Sequence, residues 1–159
     1  MTEPSTDRTS TTVSKVIKAS RDVVYQACLD PEGLASWRVP DNMTGRVDAF
    51  DPREGGRYRM TLTYRDPEQS AGKTSEATDT FQGQFVELVP GEKVVELIDF
   101  ESADPRFAGQ MRMTTTLADS ADGTEITVLC EGLPTGIRPE DNVTGTEQAL
   151  EKLAALLGR

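Results

Sequence analysis

Two carboxylates, Glu96 and Asp99, stand three residues apart in the apolar stretch Val94-Val95-Glu96-Leu97-Ile98-Asp99-Phe100. In an extended strand alternate residues share a face, so Val94, Glu96, Ile98 and Phe100 form one side and Val95, Leu97 and Asp99 the other. Whichever side turns inward carries one acid with it. A carboxylate taken out of water without a partner is costly, so it keeps its proton or finds a donor such as a tyrosine hydroxyl. It could then orient a polar group of a ligand, or serve as a general acid or base. The plainer reading, preferred here, is a surface acid beside a strand end.

Other chemistries are excluded or weakly spelled. Histidine is absent, which removes Ser-His-Asp and Cys-His catalysis and His-based zinc sites. Cys28 and Cys130 lie singly in apolar surroundings and read as small buried hydrophobes. Ala71-Gly-Lys-Thr74 resembles the end of a phosphate loop, but Pro67 occupies the required earlier glycine position. Gly55-Gly56 reads as a turn entering a strand rather than a dinucleotide site. Asp99, Glu101 and Asp104 lack metal-loop spacing, and no metal or other cofactor is expected. Arg57 and Arg59 are expected to face solvent opposite Tyr58.

These residues need elements to hold them. The chain has 159 residues, 36% of them hydrophobic, enough for one folded domain over residues 11–158 behind a disordered Thr/Ser-rich tail, 1–10. Its formal charge of −10 repels phosphate backbones, so nucleic acid is not an expected partner. No apolar run reaches membrane length and the polar start lacks an apolar signal core, so a cytoplasmic protein with no membrane partner is expected.

Thr11 to Ile17 reads as a strand, and Ser20 can cap a short helix from Arg21 to about Leu29. A second helical turn carries Leu34 and Trp37 before Pro40. The period then changes to two. Met43 to Ala49 alternates, and Tyr58, Met60, Leu62 and Tyr64 share one side of the clearest strand. Residues 65–77 form a polar hairpin loop. Thr78 to Val89 slips phase, which a bulge near Phe85 reconciles. Lys93 to Phe100 follows, then a hairpin with Met111, Met113, Thr115 and Leu117 on one arm and Ile126, Val128 and Cys130 on the other. Val143, Leu150, Leu153 and Leu157 recur at helical spacing up to Gly158. That helix opens either at a Thr144/Glu147 capping box or earlier at Pro139. Hairpin-joined strands make an antiparallel sheet of about six or seven strands, and its dry face needs the terminal helix to cover it: an α+β fold.

In order and spacing, five segments together resemble one family. They are Ser20-Arg-Asp-Val-Val-Tyr25, Asp30-Pro-Glu-Gly-Leu-Ala-Ser-Trp37, Phe50-Asp-Pro-Arg-Glu-Gly-Gly-Arg-Tyr58, Gly83-Gln-Phe-Val-Glu-Leu-Val-Pro90 and Gly145-Thr-Glu-Gln-Ala-Leu-Glu-Lys-Leu153. The chain so resembles the activator of heat-shock protein 90 ATPase homologue-like family of the START-like, or SRPBCC, superfamily. The resemblance implies a helix-grip fold, in which a curved antiparallel sheet wraps the C-terminal helix around a cavity. The family's helix usually reads Gly-Trp where this chain has Gly145-Thr146, which would enlarge the pocket or add a polar contact.

On parity, Trp37, Tyr58, Met60, Leu62, Tyr64, Met111, Met113, Thr115, Cys130, Thr146 and Leu150 are the expected pocket residues, joined by Glu96 or Asp99. The first function expected is non-catalytic binding of a small, largely apolar molecule. The second, suggested by the family name alone, is a co-chaperone-like protein-interaction module. The third is a cyclase- or hydrolase-like enzyme depending on Tyr64, Glu96, Asp99 or a bound water, none of which the sequence marks as activated.

Overall fold

The computed structural model describes residues 9–39, 43–64, 78–102 and 104–157. Residues 1–8 of the expected tail, the connection 65–77 with its Ala71–Thr74 segment, and Gly158 lie outside the described residues.

The elements run β1 (Thr11–Ile17), α1 (Arg21–Cys28), α2 (Pro31–Trp37), β2 (Met43–Phe50), β3 (Arg57–Tyr64), β4 (Thr78–Val89), β5 (Lys93–Phe100), a 3-10 turn (Pro105–Phe107), β6 (Met111–Ser120), β7 (Gly123–Glu131) and α3 (Pro139–Leu157). All seven strands pair antiparallel in the order β1-β7-β6-β5-β4-β3-β2, so β5 is central. Six strands meander as hairpin neighbours and β1 closes onto β7. The result is a curled α+β half-barrel with two short helices after its first strand and a long helix at its end.

Local chemistry explains the boundaries. Ser20 caps α1 by accepting a hydrogen bond from the Val23 amide at 3.3 Å, and Asp30 caps α2 by accepting from Glu32 at 3.2 Å with Pro31 in the first turn. The bulge falls between Phe85 and Glu87, which returns Leu88 to the inner face opposite Val94. A second register shift, between Val47 and Ala49, had no phase signal in the sequence. α3 opens at Pro139, whose missing N–H costs nothing there, so Thr144 sits one turn inside the helix and is not its cap.

Across the inner face, cross-strand pairs line up in rungs: Phe85, Glu96, Met113 and Cys130 in one, Leu88, Val94, Thr115 and Val128 in the next. α3 packs along β1 and against α2. The Thr11 hydroxyl donates to Asn142, Lys15 pairs with Glu151 at 2.8 Å, and the Lys152 ammonium donates to the Val39 carbonyl. Leu150, Leu153 and Ala154 are its buried side chains. On the outer face Arg59 bridges Glu101 at 2.8 Å and Asp48 at 2.9 Å, so it is half-exposed and paired, while Arg57 is exposed.

Two glycines set the spacing of layers. α2 and the residues after it lie so close to β2 that a Cβ on Gly45 would come within 3.1 Å of the Ala35 carbonyl oxygen and 2.6 Å of a Val39 methyl. Gly83 faces Tyr58 across β3 and β4, and a Cβ there would lie 2.2 Å from the tyrosine ring. Gly83→Ala must therefore displace Tyr58. We expect it to destabilise the fold by about 3 kcal/mol in urea titration. Gly145→Ala, where an added Cβ meets nothing within 4 Å, is expected to be neutral or to stabilise by up to ~1 kcal/mol.

Candidate functional site

α2 ends at Trp37, and the next residue, Arg38, is its C-cap, with its amide donating to the Leu34 carbonyl at 3.0 Å. The guanidinium reaches from this helix end to the centre of the sheet. Nη1 donates to Glu96 Oε1 at 3.1 Å and Oε2 at 3.4 Å, and Nη2 donates to the Tyr58 hydroxyl at 3.4 Å. The Tyr58 hydroxyl in turn donates to Glu96 Oε1. The guanidinium carbon also lies 5.9 Å from the centroid of the Tyr58 ring, within reach of its negative face.

Glu96 is thus the inward acid: it is 2% exposed and partnered by both a cation and a phenol. The preferred surface reading is wrong for this residue. Its strand neighbour at odd parity, Asp99, is exposed and accepts a hydrogen bond from Gln110 at 3.1 Å, which places it outside the pocket.

Above the ion pair lies a cavity of about 450 Å³. The structure brings Trp37, Leu62, Tyr64, Glu96, Met113, Thr115, Thr146 and Leu150 to its wall. Tyr58, Met60, Met111 and Cys130 are buried but do not line it. Sequence reasoning missed Arg38, Cys28 and the aromatic side chains Phe81, Phe100 and Phe107. Arg38 carries no periodicity signal because it sits in a turn. The available clue was the demand of a buried carboxylate for a donor, for which the sequence offered a tyrosine hydroxyl as the example and named no cation.

Burial and the neighbouring charges hold Cys28, Tyr58 and Arg38 in single states near neutral pH. Burial, then the nearby Glu96, pushes the Cys28 thiol up to about 12. The same two causes, in the same order, push the Tyr58 phenol well above its usual range. Burial alone would lower Arg38, but Glu96 and then Tyr58 hold its proton more tightly than in water. Near neutral pH the site therefore offers a neutral thiol, a neutral phenol and a paired guanidinium. Among the described residues no cluster of His, Cys, Asp and Glu could hold a metal ion, and no helix is long and apolar enough to cross a membrane.

A curled antiparallel sheet closed by a C-terminal helix around such a cavity is the helix-grip architecture of START-like proteins. Within that class the chain belongs to the Activator of Hsp90 ATPase homolog 1-like protein family, whose profile matches residues 18–158. A crystal structure of a protein from Chromobacterium violaceum is similar at 33% identity and TM-score 0.84, over 94% of this chain and 97% of that one. A protein from Mycobacterium smegmatis shares 19% identity at TM-score 0.71, over 95% of this chain and 91% of that one. The AHSA1-like protein from Aeromonas hydrophila shares 16% identity at TM-score 0.71, over 92% and 90%. The last two likenesses show the fold alone. No curated protein matches the chain at a significant level. Family and fold together describe, in general terms, a ligand-binding or interaction module.

Two outcomes follow from the ion pair and the thiol. Arg38→Met strands the Glu96 charge and is expected to cost about 3–5 kcal/mol in denaturant titration, while adding Glu96→Met restores most of the loss. Because Cys28 and Tyr58 ionise later in the folded than in the unfolded chain, their contribution is complete below about pH 9. It fades as pH rises toward about 12. Stability should fall across that window by up to ~1.4 kcal/mol per pH unit for each such group. Thermal unfolding at stepped pH should show a shallower fall for Cys28→Ala.

Proposed function

We propose that this protein holds a small, largely apolar molecule between its sheet and α3. The supporting observation is the cavity itself: about 450 Å³, within the ~300–1,000 Å³ of ligand sites, with apolar walls and few polar groups. The wall is built from Leu62, Phe81, Phe100, Met113, Val128 and Leu150, contributed by five strands and α3. Met113 adds a deformable surface and the aromatic rings add broad ones.

The role is one of binding. Cys28 is held as a thiol and Tyr58 as a phenol, and Glu96 is occupied by Arg38 and Tyr58, so none of these three floor groups is set up as a nucleophile or free base.

Thr146 gives the most direct test, because it lines the cavity where the family's helix usually carries tryptophan. Thr146→Trp is expected to keep its melting temperature within a few degrees while losing at least ten-fold in affinity for decan-2-one by isothermal titration calorimetry. Unaltered protein that binds no decan-2-one, and that emerges from incubation with cell extract at its bare mass in native mass spectrometry, would remove the proposal.

A further inference from the structure

The cavity has a polar end and an apolar end. Arg38, Glu96, Cys28 and Thr115 form its deep end: the Arg38 side chain is 13% exposed, Glu96 2% and Thr115 5%. Toward the mouth stand half-buried Tyr64, Phe100 and Phe107, with exposed Arg138 and Asp141 at the rim. Thr115 lies two residues beyond Met113 on the same face of β6, one rung from Glu96, which is about 7 Å along the strand. The residue is almost wholly buried, and it lines the cavity. A hydroxyl on the cavity wall can donate to an acceptor inside the chamber.

The charge at that end is already balanced. Glu96 spends both oxygens on Arg38 and one of them also on Tyr58, whereas Arg38 keeps its Nε outside all of these contacts. The floor thus presents N–H and O–H donors and little acceptor capacity. An anionic head would meet the Arg38 guanidinium and, 3.1 Å behind it, the Glu96 carboxylate. The attraction and repulsion largely cancel, and the loss of hydration remains. The chain's net charge of −10 adds a further bias against anions. A cationic head would meet the more exposed partner, Arg38, first.

Resting on the binding role proposed above, we infer that the ligand enters head first with an uncharged hydrogen-bond acceptor, such as a ketone, ester or amide carbonyl. Arg38 and Thr115 receive that acceptor, and the hydrocarbon or aromatic body lies toward Phe100 and Phe107. Charge pairing inside the protein, and not the apolar wall, then sets which amphiphiles are admitted.

Trp37 is the chain's single tryptophan and lines the cavity, so its emission reports occupancy locally. The test compares three probes of one chain length at pH 7.5: decan-2-one, decanoate and decylammonium. Calorimetry and Trp37 fluorescence should both show the ketone binding at least ten-fold tighter than either ion. Glu96→Gln leaves Arg38 unbalanced and should invert the order, making decanoate the tightest of the three. Decanoate binding as tightly as the ketone to the unaltered protein would overturn the head-group assignment while leaving the binding role standing. Silence from all three probes would overturn the head-group assignment, and a bare mass after incubation with cell extract would take the binding role down with it. Should circular dichroism show that Glu96→Gln is unfolded, the ranking in the unaltered protein decides the question by itself.

Discussion

The pairing of Arg38 with Glu96 joins two distant parts of the chain at a depth where both side chains are largely buried. Arg38 sits at the end of a seven-residue helix near the start of the fold, and Glu96 sits in the middle strand of a seven-stranded sheet. A lone charge of either sign at such burial would be costly; together, with Tyr58 closing the triangle, they are tolerated. The pairing demands that α2 approach β2 closely, which Gly45 allows, and that Tyr58 lie flat across β4, which Gly83 allows. Two glycines and one turn are thus consequences of a single electrostatic requirement.

The same requirement keeps the interior from collapsing. α3 rests chiefly on β1 and α2, at the flanks of the sheet, and the cavity lies between it and the middle strands. Apolar side chains moving down to fill that gap would have to bury their methyl groups against a guanidinium. Were the resulting 450 Å³ a sealed and empty void, it would cost about 10 kcal/mol, comparable with the whole stability of a domain. The chamber is therefore occupied by water or by another molecule whenever the chain is folded. Apolar walls give water few partners, which favours the second occupant.

Much of this architecture was legible where side chains repeat. Tyr58, Met60, Leu62 and Tyr64 betray an inward face by strict alternation, and the slip between Phe85 and Val86 betrays the bulge because no regular strand can bury both parities. Glu96 was ambiguous for the opposite reason: in Val94-Val95-Glu96-Leu97-Ile98 apolar residues fill both parities, and only the fold decides which acid turns in. Arg38 and Phe107 were invisible. One is a helix cap and the other belongs to a single 3-10 turn, so neither has a period, and their inward direction comes from tertiary packing alone. The site's walls come from repeating structure and were readable, while the cation of its floor comes from a turn and was not.

Thr146 settles how this chamber differs in kind from one closed by a tryptophan. Its hydroxyl donates at 2.8 Å to the Asn142 carbonyl of its own helix, so its proton is not available to a guest and the side chain adds room before it adds polarity. Gly145 beside it adds no side chain at all, and Ala149 contributes a single methyl. The middle of the helix wall is therefore small toward the cavity, with polar side chains of Arg138, Asp141 and Asn142 toward its start, while the buried donors stand at the opposite end, on Arg38 and Thr115. A guest has one buried place to satisfy an acceptor and a broad apolar space beside it. An asymmetry of that kind orients a molecule even when its shape does not.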